Sequence, residues 1–129
     1  RFSSVTYGAS HPMRPVRLGL TMELITATGL LAGADTPDPR LVEAREATAD
    51  EILTFHTPEY LETLKEANTG LIPVKGPAHG LGYGDNPVFR GVYDWSAICS
   101  GASVQAAELV AGKEADVAFN IGGGLHHAM

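Results

Sequence analysis

The spacing of apolar residues along the chain predicts two long helices. From Pro15 to Thr28, Leu20 and Leu24 lie one helical turn apart, and Gly29 supplies a residue that can adopt the left-handed conformation in which many helices end. From Val92 to Ala111 the sequence is rich in alanine, and its larger apolar residues are distributed as in a largely buried helix. We therefore expect both segments to be helical.

Two polar motifs mark the beginnings of shorter helices. Thr48-Ala49-Asp50-Glu51 matches a capping box, in which the threonine hydroxyl and the glutamate carboxylate each accept a hydrogen bond from a backbone amide at the start of the helix. Thr57 followed by Pro58 repeats the pattern, with a hydroxyl cap and a proline at the first helical position. We expect the second of these helices to continue until Asn68.

The stretches between the helices are predicted to be loops and strands. From Gly70 through Gly91, both included, there are six glycines and three prolines together with several apolar residues, which predicts a long, packed and functional loop. Residues 116–121 are predicted to form a buried strand, residues 41–45 a short strand, and residues 2–7 a strand or a frayed end. Because helices alternate with strands, the expected fold class is α/β with a parallel sheet.

Composition excludes some classes of function. With 129 residues, of which 44% are hydrophobic, the chain is the size of one domain that can bury a core. Its 9 basic and 15 acidic residues give a net charge of -6, which argues against direct nucleic-acid binding. No apolar run approaches the roughly 18 to 20 residues of a membrane span, and no secretory leader opens the chain. We therefore expect a cytoplasmic protein without a membrane partner.

The candidate chemistry is concentrated in Gly122-Gly123-Gly124-Leu125-His126-His127, which follows the predicted buried strand. Ligand sites in open α/β sheets lie at the carboxyl ends of strands, and the three glycines allow the backbone conformations that could turn both imidazoles toward one cleft. Such a pair suits proton transfer near neutral pH. The alternatives are a surface pair, a pair satisfied in the core, or the remains of a tag; the glycines and the strand favour function.

Four segments together resemble one known family. They are residues 11–18, 56–60 and 82–89, and the sequence Gly-Gly-Gly-Leu-His-His-Ala-Met at residues 122–129. In this order they are similar to motifs of the histone deacetylase and acetoin utilisation protein superfamily. The resemblance implies the amino-terminal part of a doubly wound parallel sheet of the arginase/deacetylase-like kind, with three α/β/α layers. Residues 1–129 would then be a partial domain, incomplete at both ends.

The resemblance also implies roles for particular residues. His127 would be the main general base and acid and His126 its electrostatic partner, beside a water bound to zinc that attacks the acetyl carbonyl of an acetylated lysine side chain or an acetylated small amine. Asp85 would accept hydrogen bonds from substrate backbone amides at the rim, although a plain turn residue is an equal alternative. Arg17 would line an internal channel for acetate, where the alternative is a helix-surface arginine.

Four further residues are expected near these positions, and we assign none of them a catalytic role. His11 and Tyr7 are expected to line the region of Arg17, and His56 to cap or pack near the Thr57 turn. Tyr83 either contributes to the wall of the substrate entrance or belongs to the core.

The zinc ligands that the family places after the histidine pair, an Asp-x-His motif and a further Asp, do not occur in this sequence. We therefore expect that zinc is not fully ligated by this chain alone and that the isolated chain is inactive. The alternative is a non-catalytic binding or oligomerisation module that forms a homo-oligomer through an exposed sheet edge. A cysteine hydrolase using Cys99 is disfavoured, because a cysteine within a predicted helix is more often a small core residue.

Overall fold

The computed structural model describes residues 7, 11, 14–31 and 41–124 of the chain. Within these ranges the backbone forms four α-helices and one short 3-10 helix, and none of these helices is long and apolar enough to cross a membrane. The α-helices are α1 (Val16–Ala27), α2 (Ala49–Leu53), α3 (Pro58–Ala67) and α4 (Val92–Ala111), and the 3-10 helix is Gly76–His79. All four helices predicted from the sequence are confirmed.

The predicted caps of α2 and α3 are confirmed. The Thr48 hydroxyl accepts a hydrogen bond from the Glu51 amide at 3.2 Å, and the Glu51 carboxylate accepts one from the Thr48 amide at 2.7 Å, so the capping box is complete. The Thr57 hydroxyl accepts from the Tyr60 amide at 3.2 Å. These bonds satisfy amides that have no partner inside the helix, and so they fix where each helix begins.

Arg45 ties the segment before α2 to both α2 and α4. Its guanidinium donates to the two Glu51 carboxylate oxygens at 2.7 and 2.9 Å and to the Glu108 carboxylate at 3.1 Å. The hydrogen bonds from Arg45, and then those from Thr48, lower the pKa of Glu51 from its usual 4.5 to about 2. Glu51 therefore has two structural roles: it caps α2, and it binds the Arg45 guanidinium that also contacts Glu108 on α4.

Replacing Glu51 with glutamine is expected to reduce stability in a pH-dependent way. Because the pKa of Glu51 is lowered in the folded state to about 2, its ionised form favours folding above about pH 4.5, and this contribution is lost as the pH falls toward about 2. Urea unfolding of the wild type and Glu51→Gln should give a difference in unfolding free energy that is steady near neutral pH and shrinks below about pH 4.5.

The matched control is Glu62→Gln, which removes an exposed ion pair with Lys65 within α3. Exposed pairs contribute little, so we expect a smaller difference at neutral pH than for Glu51→Gln. A Glu51→Gln difference that is unchanged at about pH 2 would contradict the assigned role of the ionised carboxylate.

The core lies between α3, the loop of residues 70–91 and α4. Tyr7 packs edge-on against Trp95, with ring centroids 5.4 Å apart, and lies 5.2 Å from the Phe89 ring. The buried cluster consists of Tyr7, Leu64, Ala67, Leu81, Phe89, Val92, Trp95 and Cys99. The loop is thus packed at Leu81 and Phe89, as predicted, but four of its other large side chains are exposed: Leu71, Ile72, Val74 and Tyr83.

Asn68, at the end of α3, caps α4 from outside that helix. The N-cap residue of α4 is Gly91, which has no side chain that could accept a hydrogen bond. The Asn68 side-chain oxygen instead accepts hydrogen bonds from the amides of Tyr93 at 2.9 Å and Asp94 at 3.3 Å. The Asn68 carbonyl also accepts from the Gly91 amide at 2.9 Å. These bonds hold the two ends of the 70–91 loop together at its base.

The predicted strands are not present in the described ranges. Residues 41–45 and 116–121 form neither helix nor strand, and Val117 and Phe119 are 82% and 83% exposed, so the prediction of a buried strand at 116–121 is wrong for this structure. An apolar run becomes a strand only where a neighbouring strand takes up its backbone hydrogen bonds, and the described residues offer only the isolated bridge between Thr69 and Arg90. The parallel sheet stays a prediction, and residues 2–6 lie outside the described ranges.

Candidate functional site

The glycine run lies against α4, and the side chain of Asn120 hydrogen-bonds to that helix. The Asn120 amide nitrogen donates to the Cys99 carbonyl at 3.2 Å and to the Ser103 hydroxyl at 3.0 Å, and its oxygen accepts from the Gly122 amide at 2.9 Å. Gly122 is buried, and the two following glycines have φ angles of 59° and 124°, which side-chain-bearing residues rarely adopt. His126 and His127 lie outside the described residues.

A pocket of about 240 Å³ opens beside the glycine run. Its walls combine glycines of the run with side chains of α4, of α3 and the turn before it, and of the loop that contains Asp85. The residues that line it and bear on the site are Gly123, Gly124, Cys99, Trp95, His56, His79 and Asn86. The backbone leading to the histidine pair therefore shares one pocket with the immediate neighbour of Asp85.

Asp85 lies at the tip of a tight turn and is exposed. The turn is closed by a hydrogen bond from the Asn86 amide to the Tyr83 carbonyl at 3.0 Å and by one from the Gly82 amide to the Asn86 carbonyl at 2.8 Å. Two glycines of this turn, Gly82 and Gly84, have positive φ angles. The position suits a carboxylate at the rim of the pocket, and Tyr83, which is 63% exposed, does not belong to the core.

Tyr7 and His11 were expected to line the region of Arg17. In the structure Tyr7 contacts His11 and lies near enough to Arg17 for an electrostatic interaction. The Tyr7 and His11 rings meet edge-on with centroids 5.1 Å apart. Burial, together with a smaller contribution from Cys99, raises the pKa of Tyr7 to about 12, while the positive charge of Arg17 acts in the opposite direction. Arg17 itself is exposed in the first turn of α1, the position of the helix-surface alternative.

Cys99 is a core residue and not a nucleophile. Its side chain is 2% exposed within α4, and burial raises the pKa of the thiol to about 12. A thiol with that pKa stays protonated at neutral pH, and the thiolate is the nucleophilic form. His56 likewise packs as expected near the Thr57 turn, because its ring stacks on Tyr60 with centroids 4.7 Å apart.

The part of the chain that the structure describes does not fit a zinc site. Among these residues, no group of three or more His, Cys, Asp or Glu side chains lies close enough together to hold a metal ion. Protein zinc sites use three or four such ligands in tetrahedral geometry. The described side chains around the pocket can bind, position and exclude water, but they do not assemble a metal centre.

Comparison with known proteins gives one consistent result. Residues 11–129 match the family described as histone deacetylase domain. The chain is 32% identical over 127 residues to acetoin utilization protein AcuC of Bacillus subtilis (strain 168), which covers 98% of this chain and 32% of that protein. It is 36% identical over 128 residues to histone deacetylase 9 of Arabidopsis thaliana, covering 97% of this chain and 29% of that protein.

A yeast relative agrees with these two. The chain is 36% identical over 124 residues to histone deacetylase RPD3 of Saccharomyces cerevisiae (strain ATCC 204508 / S288c), covering 95% of this chain and 28% of that protein. The chain thus spans about three tenths of the length of the curated relatives that it matches.

Proposed function

The chain belongs to the histone deacetylase family, and we propose that it supplies the amino-terminal part of a zinc-dependent deacetylase. The reaction is hydrolysis of acetyl-lysine, or of a similar acetylated amine, to acetate and the free amine. The observation that carries the proposal is the attachment of the glycine run to α4 beside a pocket shared with the Asp85 loop. Gly124, two positions before His126 in the sequence, lines this pocket of about 240 Å³, which supports a substrate site beside the histidine pair.

In this proposal His127 moves the protons of the reaction. Its imidazole accepts a proton from the water whose oxygen bonds to the acetyl carbon, and it returns a proton to the amine nitrogen as the carbon–nitrogen bond breaks. His126, beside it, adjusts the charge on His127 through the electrostatic interaction of two neighbouring rings. Imidazole suits both steps because its ordinary pKa lies close to neutral pH.

The zinc of the family enzyme requires ligands outside the described residues. When bound, zinc polarises the acetyl carbonyl and acidifies water, which is chemistry that histidine alone does not supply. The part proposed for this chain is therefore the proton transfers and the binding of substrate, and we expect the isolated chain to be inactive.

Asp85 and Arg17 are proposed to act on either side of the reacting atoms. The carboxylate of Asp85 is exposed, and in this proposal it accepts hydrogen bonds from backbone amides of a peptide substrate. For Arg17 the proposed role is a fixed charge in an inner passage for acetate, which rests on the family resemblance, because its exposure in α1 fits the helix-surface alternative.

Replacing Asp85 with alanine is expected to distinguish the two substrate classes. The protein for this experiment is the longest protein encoded by the reading frame that contains this sequence, called the reading-frame product below. In it, Asp85→Ala should raise KM for an acetyl-lysine peptide about tenfold, because charge-assisted hydrogen bonds worth about 1.5 kcal/mol are lost. KM for an acetylated polyamine, which has no peptide backbone, should stay nearly constant. Acetate release measured against substrate concentration gives both values.

The control for this experiment is Asp116→Ala. It removes another exposed carboxylate, one that is distant in sequence from the turn that contains Asp85. It should leave both KM values near those of the wild type. Equal effects of Asp85→Ala on the two substrates would contradict backbone recognition by Asp85, and absence of acetate release from the wild-type product with either substrate would contradict the proposed function.

The second candidate function is a non-catalytic binding or oligomerisation module. Large apolar side chains that are more than two-thirds exposed favour it, because such surfaces are usually covered by protein: Leu41, Phe55, Leu71, Val74, Val117 and Phe119. Sedimentation of the isolated chain at low micromolar concentration tests it. A stable homo-oligomer together with an inactive reading-frame product would favour the module over the enzyme.

A further inference from the structure

Asn120 uses its whole side-chain amide to join two parts of the chain. Its nitrogen donates to the carbonyl of Cys99 at 3.2 Å and to the hydroxyl of Ser103 at 3.0 Å, two groups one turn apart on α4. Its oxygen accepts from the amide of Gly122 at 2.9 Å. The Ser103 hydroxyl also donates to the Cys99 carbonyl at 3.1 Å, so the three groups form a closed hydrogen-bonded set.

Two large side chains near Asn120 in the sequence contribute little packing against the core. Val117 and Phe119 are 82% and 83% exposed and so do not pack against the core. Gly123 and Gly124 have φ angles of 59° and 124°, and glycine backbone has more accessible conformations than any other residue. Within the described part of the chain, the side chain of Asn120 makes the hydrogen bonds that join this segment to α4, and the buried Gly122 lies beside them.

We infer that Asn120 is a positioning residue for the histidine pair, acting through Gly122 and α4. This inference rests on the proposed function. The scaffold in this inference is α4, a helix of 20 residues. Through its hydrogen bonds to α4 and to the Gly122 amide, Asn120 sets where the glycine run begins relative to that helix. Gly122 precedes His126 by four positions and His127 by five in the sequence, so in this inference Asn120 acts on the pair through the glycine run. Misplacement of a catalytic group by about 1 Å can lower a rate about 100-fold.

The alternative is that Asn120 contributes only to stability. The two roles differ in what a substitution changes. Loss of stability alone lowers the amount of folded protein and leaves the properties of each folded molecule unchanged. Loss of positioning lowers kcat of the folded molecules while KM stays nearly constant, because substrate binding away from the reacting atoms is retained.

The test uses the reading-frame product with three substitutions. Asn120→Ala removes both the donor and the acceptor, and we expect kcat for an acetyl-lysine peptide to fall about 10- to 100-fold with KM changed less than about twofold. Asn120→Asp keeps an acceptor for the Gly122 amide, and the Ser103 hydroxyl can turn to donate to it, so it should recover part of the lost kcat. Ser103→Ala keeps the Cys99 and Gly122 bonds of Asn120 and should stay near the wild type.

A second readout does not depend on activity. With carbon-13-labelled histidine, the ring resonances of His126 and His127, assigned by His126→Ala and His127→Ala, should move in Asn120→Ala and return toward wild type in Asn120→Asp. Unchanged resonances in a folded Asn120→Ala protein would overturn the inference, as would a kcat loss that equals the loss of folded protein. If the wild type releases no acetate, the proposed function fails, and the resonances alone decide the role of Asn120.

Discussion

Replacing His127 with alanine is expected to lower kcat for deacetylation by the zinc-loaded reading-frame product about 100- to 10,000-fold, the usual contribution of a general acid–base group. In the proposed mechanism His127 takes the proton of the attacking water and later protonates the amine that leaves. Without it, both transfers must pass through solvent. Acetate release at saturating acetyl-lysine peptide measures the loss.

The comparison for this prediction is His126→Ala in the same protein. His126 adjusts the charge on its neighbour and does not itself carry the proton, so its loss should be smaller than that of His127. Zinc content and unfolding midpoint should match the wild type in both variants, since neither imidazole is proposed as a ligand. A zinc-loaded His127→Ala enzyme with more than a tenth of wild-type kcat would show that another group is the base.

Replacing Gly101 with alanine is expected to destabilise the chain by about 2 kcal/mol. A Cβ at this position would clash with the Arg45 carbonyl oxygen and the Ala47 amide nitrogen, both backbone atoms. Alanine gains about 1 kcal/mol over glycine in helix propensity, but overpacking costs up to about 3 kcal/mol. The displacement also disturbs the hydrogen bond from the Ala47 amide to the Ala97 carbonyl at 2.8 Å, so the net effect is a loss.

The matched control is Gly112→Ala at the end of α4. Gly112 has a right-handed φ of -74°, and the nearest atom to an added Cβ is the Glu108 carbonyl oxygen at 3.1 Å. A fraying helix end can accommodate that contact, so the change in unfolding free energy should stay within about 0.5 kcal/mol. Urea unfolding measures both variants. A Gly101→Ala chain as stable as the wild type would mean that residues 45–47 do not lie against α4.

The helices could be predicted because their signals are local. The capping box at Thr48 and the Thr57-Pro58 pair specify where α2 and α3 begin through bonds within three residues of the cap, and the structure has those bonds. The alanine-rich segment predicted from Val92 to Ala111 has the same bounds as α4. Each of these signals depends on side chains that lie within one or two helical turns of one another.

The strands could not be established in the same way. The apolar run at residues 116–121 has the composition of a buried strand, yet Val117 and Phe119 are exposed in the structure. Strand formation depends on backbone partners elsewhere in the chain, and an apolar run does not identify them. The same limit applies to Asn68, whose role as the cap of α4 depends on residues more than twenty positions away.

For the candidate site, the sequence predicts which groups take part in the reaction, and those roles stay predictions, while it gives no signal for the contacts of Asn120. The roles of the histidine pair and Asp85 rest on motifs, and the burial of Cys99 confirms the prediction that it is a core residue. The sequence predicts Asn120 as part of a strand, because its partners Cys99 and Ser103 lie 21 and 17 positions away along the chain and leave no local signal. Gly101 gave no signal either, since a glycine within an alanine-rich helix does not reveal which backbone approaches it.

The central claim is that this chain carries the proton-transferring histidines of a deacetylase but not a complete set of zinc ligands. Zinc content measured together with acetate release, on the isolated chain and on the reading-frame product, tests it most directly. We expect stoichiometric zinc and turnover in the reading-frame product and neither in the isolated chain. Stoichiometric zinc and acetate release by the isolated chain would contradict the claim and would require ligands from its own residues or from a second copy.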